Sequence, residues 1–357
     1  MPEGLDTDAL ATWLDAECPG LLSGPLEASL ITGGKSNLTY TVTDGSTEVI
    51  VRRPPLGHVL ATAHDMSREH RVITALAPTD VPVPETYALC EDDAVVGAPF
   101  YVMERVRGTP YSRAAQLETL GADRTRSITE HMVDTLVTLH AVDPADVGLT
   151  DFGRPDGYLE RQVRRWKKQL ESSRSREIAG MDELVARLEG DIPAGGDATI
   201  VHGDYRLDNL LVDSVPNGGP DGGADEITAV LDWEMSTLGD PLTDVAVLLA
   251  YQQLAEALQD PGKPSGAVES MVTDAPLAAG YLSGAAVLER YHATSGRDVS
   301  DLDFHLALAF FKLAVILEGI HYRHTHGQTL GSGFDGIGDL IEPLVAAGLH
   351  AGHVTES

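Results

Sequence analysis

The run Ile200-Val201-His202-Gly203-Asp204-Tyr205-Arg206-Leu207-Asp208-Asn209-Leu210-Leu211-Val212 carries the strongest chemical signal in the chain. An apolar strand leads into a polar turn, and a second apolar run follows. Within the turn, His202, Asp204 and Asn209 follow the spacing H-x-D-x-x-x-x-N. Phosphoryl transfer needs a carboxylate to orient the attacking hydroxyl and an amide oxygen nearby to hold Mg2+. The step from Asp204 to Asn209 can set both beside one phosphate. A second apolar strand, Ala229-Val230-Leu231, delivers Asp232 at its end. Asp232 would be the main Mg2+ ligand, bridging phosphate oxygens through the metal. Gly239-Asp240-Pro241-Leu242-Thr243-Asp244 follows, and Asp240 or Asp244 could cap the next helix and brace the turn. Any one of these acids alone reads as a cap or a solvated loop residue. The ordered pair, each member flanked by apolar strands, reads as a phosphoryl-transfer centre.

The elements that must position this centre follow from periodicity. Residues 6–18 pattern as an amphipathic helix with Leu10, Trp13 and Leu14 on one face. A strand-like stretch is broken at Gly33-Gly34 and resumes over Leu38 to Thr43; Asp44-Gly45 signals a hairpin, and Glu48 to Arg53 returns until Pro54-Pro55. A helix is expected over Ser67 to Leu76 with Ser67 as its cap. Val81-Pro82-Val83-Pro84 is extended, and Tyr87 to Cys90 and Phe100 to Arg105 read as strands. The first hundred residues thus predict a small sheet with one helix inserted after its third strand. Beyond Gly108 helices dominate: Thr125 to His140, Tyr158 to Glu171, Asp182 to Glu189, and again from Leu242. Ile200 to Asp213 and Ile227 to Trp233 are short strands joined by the Gly/Pro/Asp-rich hairpin tip of residues 214–226.

Composition narrows the partners. The chain has 357 residues, enough for two domains or lobes, and is 43% hydrophobic and 22% charged, as in ordinary globular proteins. Its net charge of -30, from 25 Lys+Arg against 55 Asp+Glu, argues against nucleic acid and against an anionic membrane surface. A nucleotide would need a metal cation and a few placed basic groups. Cys18 and Cys90 form no disulfide framework or zinc site. Met1-Pro2-Glu3-Gly4 lacks the basic and apolar regions of a signal peptide, and no run was expected to approach the ~20 apolar residues of a membrane span, so the reading is cytoplasmic.

These segments resemble the aminoglycoside phosphotransferase and choline kinase-like family, which shares the protein-kinase fold. They are most similar to the bacterial branch that resembles the kinase-like domain fused to some acyl-CoA dehydrogenases. The resemblance runs from residue 25 to 330 and is most specific at 200–213 and 229–244. It implies an α+β, bilobal fold: a small antiparallel-sheet N-lobe over residues 1–105 that binds nucleotide, and a mostly helical C-lobe over 106–357 with the catalytic loop and substrate pocket. It implies ATP, with GTP as the alternative, together with Mg2+. The family's catalytic aspartate falls on Asp204, its metal pair on Asn209 and Asp232, and a structural histidine on His202.

Other family positions follow from the same resemblance. Gly33-Gly34-Lys35-Ser36-Asn37 sits where the family has its phosphate-covering loop, with Gly33, Gly34, Ser36 and Asn37 beside the nucleotide and Lys35 in solvent; a simple β-turn is the alternative. Small residues there let backbone N–H groups approach phosphate. Glu48-Val49-Ile50-Val51-Arg52 occupies the strand where kinases carry V-A-I-K, and the sequence departs from that pattern with Arg52 in place of lysine. Arg53 competes for the role, but alternation allows only one of the two on the nucleotide face. Glu69 is the expected ion-pair partner, unless Arg68-Glu69-His70 is a solvated face. Met103, Glu104 and Val106 belong to a hinge whose backbone would bond adenine.

Asp151-Phe152-Gly153 spells the protein-kinase metal motif but precedes the catalytic turn, so it reads as a loop. On a later helix, Lys312 and Arg323 are eleven residues apart and could receive an acidic substrate, or simply belong to an amphipathic helix. His321, His324 and His326 lack the carboxylate or cysteine framework of a metal site. Three functions stay open: a kinase of a small hydroxylated compound such as a hydroxy acid or its acyl-CoA, an aminoglycoside-type kinase, and a nucleotide-binding pseudokinase. Either a monomer or a homodimer is compatible with the sequence.

Overall fold

Alternation in the N-terminal part builds a sheet with two unlike faces. The structure is a computed structural model and describes residues 4–31, 37–56, 64–195, 197–214, 225–258, 273–327, 334 and 336–351. Helix α1 (Thr7–Glu17) is capped by Asp6, whose carboxylate accepts from the amides of Asp8 and Ala9. Strands β1 (Glu27–Leu30), β2 (Leu38–Thr43) and β3 (Glu48–Arg53) follow, then helix α2 (Met66–Leu76), β4 (Thr86–Cys90), the one-turn helix α3 (Asp93–Val96) and β5 (Phe100–Glu104). The five strands form an antiparallel sheet in the order β1-β2-β3-β5-β4. In the β2–β3 turn, Asp44 accepts from the amides of Ser46 and Thr47, and Gly45 takes φ +89°.

Tyr40, Val42, Val49, Val51, Phe100 and Val102 pack with Leu10 and Leu14 of α1 into one apolar cluster. Ile50, Tyr101 and Met103 belong instead to the larger core, with Met66, Val72, Ile73 and Leu76 of α2. Side chains alternate along a strand, so Arg52 shares the α2 face with Ile50, and Arg53 takes the α1 face with Val49 and Val51. Asp65, not Ser67, caps α2. Its carboxylate accepts from the Arg68 amide at 3.0 Å, and Ser67 donates its hydroxyl to the same oxygen.

The remainder is mostly helical: α4 (Ala114–Glu118), α5 (Ala122–Ala141), α6 (Tyr158–Ser173), α7 (Met181–Gly190), α8 (Leu242–Leu258), α9 (Gly284–Ser295), α10 (Leu302–Thr325) and α11 (Ile341–His350). Two short antiparallel ribbons interrupt it, β6 (Thr199–Val201) with β9 (Thr237–Gly239), and β7 (Leu210–Asp213) with β8 (Glu226–Val230). As the pattern over 200–213 predicts, an apolar strand leads into a polar turn and a second apolar strand follows; the turn ends in a 3-10 segment, Leu207–Asn209. The β7–β8 ribbon is tied to the N-terminal part by Val230 N–H to Pro82 O (2.8 Å) and to the segment after β5 by Thr109 N–H to Val212 O (2.9 Å).

Helices α8 and α10 are buried around most of their circumference. Contrary to the sequence expectation, α10 is long and apolar enough to cross a membrane by length and composition. Within the fold, 78% of that apolar window is buried, and α10 packs against α6, α8 and α11.

Candidate active site

The turn from 202 to 209 is held from below by one buried carboxylate. Asp244, in the first turn of α8, accepts the amides of His202 and Gly203, both at 2.7 Å, and His140 Nε2 at 3.2 Å. Burial alone would raise its pKa, but His140, His202 and the amide hydrogen bonds outweigh that and hold it below the usual carboxylate range. Asp240 takes the other expected role: it accepts from the Leu242 amide at 3.0 Å where α8 begins. Gly203 sits at φ +87°, and a Cβ there would lie 2.7 Å from the Met235 carbonyl oxygen, so only glycine fits.

His202 links the turn to the second acidic strand. Its Nε2 donates to Leu231 O at 2.8 Å and its Nδ1 accepts from the Asp204 amide at 3.2 Å. Asn209 Nδ2 donates to Asp204 O at 2.8 Å, and Asn209 O accepts from the Leu231 amide at 2.8 Å. Asp232 then leaves the β8 register in the left-handed region (φ 66°, ψ 58°), the one non-glycine residue with positive φ among those described. That conformation costs an L-residue about 1–2 kcal/mol, least for Asp and Asn. The chain at Asp204, Asn209 and Leu231 is thus joined by the Asn209 side-chain amide, one backbone hydrogen bond and the His202 ring, and Asp232 follows directly on Leu231.

From the sheet side, Arg52 closes the cluster. Its Nε donates to Glu69 Oε2 at 2.8 Å, one amine donates to Asp232 Oδ1, and Glu234 lies 4.0 Å away. The Arg52 side chain is 13% exposed, Glu69 1% and Asp232 33%. Burial works against the arginine's charge, but Glu69, Tyr101, Asp232 and Glu234 more than offset it, so its pKa is raised. Glu69 also accepts from Asn37 Nδ2 at 2.9 Å and from the Tyr101 hydroxyl at 3.1 Å. Arg53 turns away, donating to the carbonyls of Gly4, Pro54 and Val96.

The donor set fits a hard divalent cation. Asn209 spends its Nδ2 on Asp204, which leaves Oδ1 with no protein donor among the described residues, and Asp232 Oδ2 is equally unengaged. Two protein oxygens suit Mg2+, which takes its remaining ligands from phosphate and water. Among the described residues no group of three or more His, Cys, Asp or Glu could hold a metal.

Other expected residues fall differently. Gly33, Gly34, Lys35 and Ser36 lie outside the described residues. Asn37, expected over the phosphates, is buried, with its side chain engaged by Glu69, Glu234 and His64. Met103 pairs with Ile50 inside the sheet, and the Glu104 amide donates to Glu85 O. Arg105 and half-buried Val106 follow β5 with no backbone hydrogen bond among the described residues. Asp151-Phe152-Gly153 is a loop docked on α2, with the Arg68 guanidinium 3.9 Å over the Phe152 ring.

Lys312 and Arg323 do not form one anion receptor. Eleven residues of helix separate them by roughly 16 Å; Lys312 is buried against Gly203 O at 2.7 Å, and Arg323 is exposed. Sequence reasoning missed Arg206, the only cation of the turn. It lies 3.7 Å from Asp204 and 3.1 Å from Asp208, stacked 4.2 Å over the Tyr251 ring. Beside it is a small cavity lined also by Leu207, Leu248, Tyr251, Ala275 and Tyr281. Glu234 was missed as well; nothing in its spacing marks it as a partner of Asn37.

With the geometry in view, comparison with known proteins adds three findings. The family model described as the phosphotransferase enzyme family (APH) matches residues 27–264. Acyl-CoA dehydrogenase family member 10 of Mus musculus is 33% identical over 348 residues, which cover 94% of this chain and 30% of that protein; the chain spans under a third of this relative's length. Among solved structures, a Ralstonia eutropha protein assigned as an aminoglycoside phosphotransferase has a TM-score of 0.78 and 32% identity, covering 96% of this chain and 97% of that one. The GDP complex of aminoglycoside 2'-phosphotransferase-IIIa has a TM-score of 0.60 at 14% identity, covering 96% and 99%, a likeness of fold alone. The small antiparallel sheet beside a helical part is the kinase-like architecture of these neighbours.

Proposed function

The chain belongs to the phosphotransferase enzyme family, and from that premise we propose that it is a Mg2+- and ATP-dependent kinase of a small hydroxylated molecule, with residues 1–105 binding nucleotide and 106–357 carrying the catalytic turn. The observation that carries the proposal is the linkage of Asp204, Asn209 and Asp232 to one another, with the Arg52–Glu69 pair against them. A pseudokinase would have no need to keep this set together.

Asn209 Oδ1 and Asp232 would hold Mg2+, which when bound neutralises phosphate charge. Arg52, fixed by Glu69, can turn an N–H fork from Asp232 to phosphate oxygens, a bidentate geometry lysine lacks. The unengaged backbone of Arg105 and Val106 is available to adenine. Asp204 accepts the hydrogen bond of the acceptor hydroxyl and aligns its oxygen for attack. Positioning carries much of the rate, because phosphoryl transfer has a loose transition state.

On the acceptor side the reading is a hydroxy acid or its acyl-CoA ester; Arg206 is held by Asp204 and Asp208 and offers it no free cation. The name of the mouse relative, an acyl-CoA dehydrogenase family member, points the same way. The test is thermal shift with Mg-ATP and Mg-GTP, then ADP release over hydroxy acids, hydroxyacyl-CoA esters and aminoglycosides. Turnover with a hydroxy acid or its CoA ester is expected. Absence of Mg2+-dependent nucleotide binding would refute the kinase reading, and turnover of an aminoglycoside alone would refute the acceptor class.

A further inference from the structure

Lys312 lies in the middle of α10, buried with the rest of that helix, yet among the described residues no carboxylate pairs with it directly. Among the described residues it donates to the Gly203 carbonyl at 2.7 Å and, more distantly, faces the Trp166 ring of α6 at 5.8 Å. Burying an ammonium with one carbonyl partner is unfavourable, and a methionine or leucine would pack there at lower cost. Burial accordingly lowers its pKa, while Asp204 and Asp244 oppose the shift and Arg165 and Arg206 reinforce it. A group kept at such cost calls for a role beyond packing.

The carbonyl it holds belongs to the peptide unit joining Gly203 to Asp204. The amide end of that same unit donates to His202 Nδ1 at 3.2 Å. The preceding unit is gripped through the Gly203 amide by Asp244 at 2.7 Å. Gly203 has no side chain, so these three bonds, with the Met235 backbone packed against its Cα, set its rotation. We propose that Lys312 is a positioning residue: it fixes the plane of the Gly203–Asp204 peptide and thereby aims the Asp204 carboxylate at the acceptor hydroxyl. The proposal rests on the kinase reading for its activity readout, though not for the clamp itself.

The test compares the full chain with K312M and K312R. Methionine keeps the length and removes donor and charge; arginine keeps both. The rate is ADP release from saturating Mg-ATP with water as acceptor, and amide hydrogen exchange is followed over 202–206. K312M should remain folded and bind Mg-ATP with unchanged affinity. Its rate should fall about tenfold to hundredfold, the scale of a misplacement near 1 Å, with faster exchange at Gly203 and Asp204. K312R should recover most of the rate. A K312M rate within about twofold of the parent overturns the proposal, as does equal loss in both variants in step with nucleotide affinity. If the parent itself neither binds Mg-ATP nor releases ADP, the kinase reading fails instead. The clamp is then judged by exchange alone: acceleration in K312M upholds it, and no change overturns it.

Discussion

Replacing Arg52 by methionine tests the physical logic of its charged cluster most directly. The substitution leaves Glu69 nearly sealed from water with its cation gone. Breaking a buried pair costs about 3–5 kcal/mol when the survivor is stranded. Asn37 and Tyr101 still donate to Glu69, which places the cost at the lower end. Loss of the contact to one-third-exposed Asp232 adds about 0–1 kcal/mol. The sum is about 3 kcal/mol, read as a shift in urea unfolding near neutral pH. The pH dependence is the sharper readout. Burial already raises the Glu69 pKa and Arg52 opposes it, so removing Arg52 raises it further. A carboxyl higher in the folded than in the unfolded state makes folding take up a proton. The R52M deficit should therefore shrink as pH falls from about 8 to about 5. A deficit below about 1 kcal/mol, or one that stays constant or grows over that range, would refute the reasoning.

D204N should lower turnover at least a hundredfold, the usual scale for losing a general base, while isothermal titration shows unchanged Mg-nucleotide affinity. D232A should abolish the Mg2+-dependent part of nucleotide binding, seen as loss of the metal-induced thermal shift. D244N should cost about 3 kcal/mol by leaving His140 and two amides poorly satisfied. Because the folded Asp244 pKa is depressed, its contribution is present above the unfolded value and lost as pH falls through the folded one. The gap between parent and D244N should then close in acid, below about pH 4.

What the sequence reveals depends on whether a signal is local. Val49-Ile50-Val51 and Asp44-Gly45 encode strand and hairpin through neighbours, and β2 and β3 occur where those patterns lie. Alternation likewise separates Arg52 from Arg53 without further information. The cap of α2 falls two residues before the expected Ser67 because Asp65 and Ser67 are both good caps, and the carboxylate wins the Arg68 amide. Asp240 and Asp244 could not be told apart locally. The deciding group is His140, 104 residues earlier, buried against Asp244. Lys312 failed for the same reason. A lone cation on an apolar helix suggests a ligand when the helix is taken to be half-exposed. Helix α10 is buried on nearly all sides, and the partner is a backbone carbonyl, which leaves no mark in side-chain pattern.

Helix α2 is threaded between strands of the sheet, yet Arg68 fastens it to the helical part by donating to Phe152 O and, at 3.1 Å, to Ser236 O. The same helix packs on β4 and β5, and Tyr101 of β5 donates to Glu69. It is therefore stapled from both sides, and a displacement of the sheet against the helical part would strain the Glu69 and Arg68 contacts together.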